Sequence, residues 1–329
     1  MSLRPAGWAA RSDTPTTLLV EYRREAPALA AGTRPLVSIL SPVRDEHDHL
    51  PAMLDSVLSQ AYDDIEVLLV DDGSTDDTAG IVRGYAERDP RVRLVASGQA
   101  MGKVAAFNTA FQASSGAIVC HVGGDDTVPR NAMTSRVEAL RPHLERPAVA
   151  FFKLELFETT PGDAPVVVPR GRRGSMSGPS ITMTRPLAEV VMPVPAHLVS
   201  EDIWMGNAAD AVAEVRVDSG DVVVHYRRHA GNSNPRNRSF AQMDEAMHAR
   251  QAALDALLTT DRFTLPGDVR RRLEAEAEGE RRRHAGRTGA VLTSDLPPID
   301  RLAVASMSHP VLWRARTRWL TAFTGWRGR

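Results

Sequence analysis

The stretch PLVSILSPVRDEHDHLPAMLDSVLSQAYDDIEVLLVDDGSTDDT, residues 35 to 78, holds two short apolar runs, LVSIL (36–40) and IEVLLV (65–70), on either side of a segment with leucines four apart. Continuous apolar runs rich in β-branched residues are expected of strands covered on both faces. Leu50, Leu54 and Leu58 fall on one face of a helix. Strand, helix and strand at this spacing form a βαβ unit, so the segment predicts a mainly parallel sheet with right-handed connections.

The pattern continues outward. VRLVA (92–96) and AIVCHV (117–122) read as further strands. STDDTAGIVRGYAER opens on Ser74 with Asp77 three residues later, which predicts an N-cap and an acidic first turn. GKVAAFNTAFQASS places Val104, Phe107 and Phe111 on one helical face. AVAFFKLELF (148–157) is another strand candidate, and ETTPGDAPVVVPRGRRGSMSGPS (158–180) reads as a long mobile loop whose arginines could close over a ligand. EDIWMGNAADAVAEV predicts a helix, DVVVHYRRH (221–229) a strand, and residues 239–285 a charged helical hairpin. The expected organisation is an arm over 1–34, an α/β domain over 35–235 with halves 35–130 and 131–235, and a helical extension over 236–329.

Composition narrows the function classes. With 43% hydrophobic and 25% charged residues among 329, the chain is an ordinary globular one, neither disordered nor membrane-spanning. A formal net charge of −1 argues against a nucleic-acid binder, which needs a clustered basic excess. Cys120 has no disulfide partner, and no Cys/His cluster has zinc spacing. The first twenty residues lack the apolar core of a signal peptide, so a cytoplasmic setting is expected. The tail VLWRARTRWLTAFTGWRGR either packs on the catalytic domain or, over 300–329, makes peripheral contact with an anionic bilayer.

Three acidic stations carry the chemistry: Asp71 and Asp72, Asp125 and Asp126, and Glu201 and Asp202. The first follows a strand directly, with Gly73 and Ser74 supplying a turn, although Asp72 could equally be a turn residue. The second places two like charges after Gly123 and Gly124; hard oxygen ligands there suit Mg²⁺ or Mn²⁺ completed by diphosphate oxygens. The third opens a helix, where a dipole-stabilised acidic turn is the plain reading and a general base the functional one. Lys103 at a helix start could meet a phosphate. A dinucleotide-binding dehydrogenase needs a glycine-rich turn after the first strand, and SILSPVRDEHDHL has none.

In this order the motifs resemble the inverting glycosyltransferase family 2 with the GT-A fold, from about Pro35 to Asn234. The opening strand and DDGS station, GKVAAFNTAF, HVGGDDTVP, SEDIW and YRRHAGNSN are similar to family segments. The resemblance implies a nucleotide-sugar donor and a saccharide, lipid-linked or small-molecule acceptor. Pro42, Arg44, Glu46, Asp71 and Asp72 would line the nucleotide pocket, Asp125 with Asp126 would bind Mg²⁺ or Mn²⁺, and Lys103, Arg228 and His229 would hold the diphosphate. Asp202, beside Glu201, would be the base. Gly123 stands where the family usually has the first acid of its metal motif, which keeps open a second reading, an inactive nucleotide-binding scaffold.

Overall fold

The structure is a computed structural model that describes residues 34–158, 165–228 and 239–324. Residues 34–228, together with Arg262–Thr264, form one compact unit, and the described residues of 239–261 and 265–324 form another. In the first unit β1 (Val37–Val43), β2 (Ile65–Asp71), β3 (Val92–Ala96) and β4 (Ile118–His121) are the parallel half of the sheet. Their spatial order is β3-β2-β1-β4. β1, β2 and β4 are buried along nearly their whole length, which is why their sequences do not alternate.

Helices α1 (Leu50–Leu58), α2 (Thr78–Ala86) and α3 (Lys103–Gln112) connect these strands. α1 buries Leu50, Met53, Leu54 and Val57. Each such side chain stabilises the fold by about 1.5–3 kcal/mol. After α4 (Ala132–Leu140), the antiparallel half adds β7 (Ile181–Thr184) beside β4, then β5 (Ala148–Glu158), with β6 (Val166–Val168) continuing that edge. α5 (Arg185–Val191) and α6 (Glu201–Val212) lead into β8 (Val215–Arg228), which runs parallel to β5.

Three expectations change. Ser74 does not cap α2, which begins at Thr78 behind Asp77. The segment read as a long loop carries β6, and beyond it Ser175 donates to the Phe152 carbonyl at 2.6 Å and Gly174 to Asp218 at 2.9 Å, so this arginine-rich stretch lies along β5. A Cβ on Gly174 would meet the Phe151 carbonyl oxygen at 2.0 Å, a close approach that only glycine permits. β8 begins at Val215, earlier than expected, because the polar SGD stretch hides a strand whose register against β5 shifts near Lys153.

At the amino ends of the strands Glu66 is 8% exposed and accepts from Ser38 Oγ (2.7 Å), Ser115 N (2.6 Å), Ser115 Oγ (3.0 Å) and Gly116 N (3.1 Å). Arg93 adds an ion pair at 3.2 Å. Burial works to raise its pKa, but these hydrogen bonds outweigh it and leave the carboxyl below its ordinary value.

In the second unit α7 (Phe240–Thr259) opens with a capping box between Ser239 and Gln242, and α8 (Gly267–His284) follows. Fully buried Arg283 pairs with Glu280 and Asp244, each at 2.6 Å. Short helices α9 (Thr288–Leu292) and α10 (Pro298–Ala305) precede α11 (Pro310–Thr324).

Candidate active site

The sequence-derived stations in the described residues lie at the carboxyl ends of β1, β2, β4 and β8 or at the starts of α3 and α6. That is where ligands of open α/β sheets bind. His229 lies outside the described residues.

The turn after β1 is fastened to the DDGSTDDT segment. The backbone amides of Asp45, Glu46 and His47 donate to Ser74 Oγ (2.9 Å), Thr78 Oγ1 (2.8 Å) and Asp76 Oδ2 (3.0 Å). In return Asp45, at φ 53°, accepts from the amide of Thr75 at 2.7 Å. Pro42 lies half-buried at the end of β1, and Arg44 is exposed beside Asp45 at 3.7 Å. Asp71, not Asp72, is the carboxylate that shapes the turn: its oxygens accept from Ser74 N (3.0 Å) and Ser97 Oγ (2.9 Å). Burial pushes its pKa up, but the bonds from Ser74 and Ser97 hold it lower overall. Gly73, at φ 71°, allows the turn, since a Cβ there would meet the Ala100 amide nitrogen at 2.7 Å. Asp72 Oδ1 accepts from the amides of Met101 (2.6 Å) and Gly102 (2.8 Å), anchoring the approach to Lys103.

Beyond β4, Asp125 and Asp126 turn toward Gly123: a Cβ built there would lie 2.8 Å from an Asp125 oxygen and 3.0 Å from an Asp126 oxygen. A side chain at position 123 would require these carboxylates to shift. A Cβ on neighbouring Gly124 would touch Val43 and Glu46, so Glu46 completes an acidic group. Burial and then the Asp125 charge push Glu46 up to about 8, and burial with Asp125 raises Asp126 well above the usual carboxylate range. Two hard oxygens facing one point, in a pocket with excess negative charge, fit a divalent cation. Among the described residues no three His, Cys, Asp or Glu side chains converge to hold a metal by themselves, so such an ion would need oxygens from substrate or water.

Glu201 and Asp202 begin α6. Glu201 is 2% exposed and pairs with Lys103 at 2.7 Å, while its Oε2 is buried without a hydrogen bond. The lysine assigned to phosphate and the acid assigned to the base motif therefore meet each other. Asp202 Oδ1 accepts from the Ser200 hydroxyl and, at 2.9 Å, from the amide of Ile203.

Two residues to which the family resemblance gave no role lie in the site. Arg227 donates its amide to Asp126 Oδ1 (3.0 Å) and its Nε to the Asp125 carbonyl (2.8 Å), tying the end of β8, where Arg228 also sits, to the second station. The adjacent arginines of YRRH were the available signal. His121 is buried edge-on to Phe107, with Nδ1 lacking a hydrogen-bond partner. Burial, reinforced by Lys103, lowers its pKa to about 3, so the imidazole is neutral. Its lone polar character in an apolar strand gave no distinguishing pattern.

Residues 38–153 match the model of the glycosyl transferase family 2. The uncharacterized glycosyltransferase EpsJ of Bacillus subtilis (strain 168) is 36% identical over 121 residues, 36% of this chain and 35% of the relative, so the chain spans about a third of that protein's length. Among solved structures, the mannosyltransferase PcManGT from Pyrobaculum calidifontis in complex with GDP-Man and Mn²⁺ aligns with a TM-score of 0.60 at 20% identity, covering 94% of this chain and 87% of that one. S. aureus TarS in complex with UDP-GlcNAc aligns at 0.56 and 18% identity, covering 87% and 85%. At these identities the likeness is one of fold, the GT-A arrangement of a mostly parallel sheet between helices. The similarity to glycosyl transferase family 2 is carried by residues 38–153.

Proposed function

We propose that the protein transfers a sugar from a nucleoside-diphosphate donor to an acceptor hydroxyl with inversion at the anomeric carbon. The observation that carries this reading is the crowding of Glu46, Asp125 and Asp126 at the carboxyl end of the sheet, where burial and then the Asp125 charge raise the pKa values of Glu46 and Asp126. Such a group is stabilised by a cation, and two structural neighbours are in complex with nucleotide sugars, one of them with Mn²⁺.

In this reading Asp125 and Asp126 hold Mg²⁺ or Mn²⁺, which when bound neutralises charge on the diphosphate. Arg227 holds the Asp126 carboxylate through its amide and the Asp125 backbone carbonyl through its Nε. The fastened loops carrying Pro42, Arg44, Glu46 and Asp72 form the nucleoside side of the pocket. Lys103 exchanges its pairing with Glu201 for a phosphate oxygen, and Arg228 and His229 assist it. Asp202 accepts the acceptor's proton, and the hydroxyl oxygen displaces the diphosphate from the opposite face. A positioned base of this kind contributes roughly 10²- to 10⁴-fold. The acceptor belongs to cell-envelope polysaccharide, glycolipid or small-metabolite chemistry.

Calorimetric titration with UDP, GDP and dTDP, each with and without Mn²⁺, tests the donor site. One nucleotide binding in a Mn²⁺-dependent way is the expected result. No binding under any condition would instead favour the scaffold reading that Gly123 keeps open.

A further inference from the structure

Among the described residues, large apolar side chains left exposed gather toward the end of the chain: Ile299 (60%), Leu302 (65%), Val311 (56%), Leu312 and Trp319 (58%). α10 presents Ile299 and Leu302 one turn apart. In α11 the helical period separates two faces. Val311, Ala315 and Trp319 lie four apart, with Leu312 beside them, and all four are exposed. Trp313, Arg316 and Thr317 share the opposite, partly buried face, from which Arg316 donates to Ser306 Oγ at 3.0 Å. Arg314 and Arg318 are exposed beside the apolar face.

A helix docked on its own domain ordinarily turns its apolar stripe inward and its charges outward. α11 departs from this: its partly buried face holds the Arg316 guanidinium beside Trp313, while Val311, Leu312 and Trp319 face out between exposed arginines. Exposed apolar stripes of this kind mark surfaces that a partner or a membrane covers.

The charge identifies the cover. Residues 301–329 contain six arginines and no aspartate or glutamate, in a chain whose formal net charge is −1. We propose that α10 and α11 form a peripheral docking surface for an anionic lipid bilayer, with Val311, Leu312 and Trp319 entering the acyl boundary and Arg314 and Arg318 meeting headgroup phosphates. Tryptophan at the interface beside arginines that extend to the headgroups is the pattern of a helix lying in the membrane plane. No described helix is long and apolar enough to cross a membrane, so the contact is one of surface attachment. This inference does not depend on the transferase reading.

The test is flotation of the full chain with phosphatidylcholine vesicles made with and without phosphatidylglycerol. The wild-type protein floats with the anionic vesicles, and salt releases it. Val311→Ser/Leu312→Ser/Trp319→Ser, all at exposed positions, abolishes flotation. Arg314→Gln/Arg318→Gln, a second variant that leaves the apolar face intact, lowers anionic partitioning by roughly five-fold per arginine. Flotation that neither variant changes, or none with the wild type, overturns the proposal. So does a solution dimer broken by the serine variant while vesicle binding persists, which would make a second copy of the chain the cover.

Discussion

One sheet holds two buried carboxylate clusters at opposite ends of its parallel strands, and the fold treats them in opposite ways. At the amino ends Glu66 is surrounded by donors from Ser38, Ser115, Gly116 and Arg93, and its pKa falls. At the carboxyl ends Glu46 and Asp126 face other carboxylates, and their pKa values rise. The first cluster is complete within the chain. In the second, folding disfavours the charged form of the carboxyls, as expected of a place where a bound cation would favour it.

The comparison can be attacked experimentally. The largest effect is expected beside the second cluster: Asp202→Asn should lower kcat by roughly 10²- to 10⁴-fold while leaving nucleotide affinity unchanged by calorimetry. Loss of nucleotide binding as well would place Asp202 in donor binding instead. Glu66→Ala should cost about 2 kcal/mol of stability in urea unfolding, because it strands the Ser115 amide and the Ser38 hydroxyl, with no change in nucleotide affinity.

Asp126→Asn should move stability the other way. The amide oxygen can still accept from Arg227 N, a buried repulsion is removed, and the thermal midpoint without metal should rise while Mn²⁺ enhancement of nucleotide binding disappears. A fall in midpoint would show that the carboxyl-end cluster is complete in itself. The smallest effect is on pH dependence. Between about 4.5 and about 8 folded Glu46 keeps a proton that the unfolded chain has released, so stability should decline as pH rises through that window. Glu46→Gln should flatten the decline in metal-free thermal melts, by roughly 1 kcal/mol or less because the group is partly exposed.

Much of this was legible in the sequence because fully buried strands and βα spacing leave an unmistakable pattern: β1, β2 and β4 fall within or beside the runs that announce them. The carboxylate stations were legible as stations, since two like charges after a strand conflict with ordinary turn chemistry. Their internal assignments were not. Ser74 and Asp77 satisfy the spacing of a capping pair, but Ser74 Oγ is taken by the amide of Asp45, a partner 29 residues away that no local rule can identify. Lys103 and Glu201 are separated by almost a hundred residues, and only the fold makes them neighbours. The start of β8 was not legible because the polar residues 218–221 interrupt its apolar pattern, while residues 215–218 pair with β5 ahead of the register shift.

The fastening of residues 45–47 to residues 74–78 constrains how this protein can be rebuilt. A graft that replaced the β1 turn with that of a relative, while keeping DDGSTDDT, would leave amide groups without acceptors at about 1–3 kcal/mol for each one that stays buried. The reverse exchange would strand the serine, threonine and aspartate side chains. The two segments are therefore a single transplantable part, and chimaeras that aim to alter nucleotide preference should move them together.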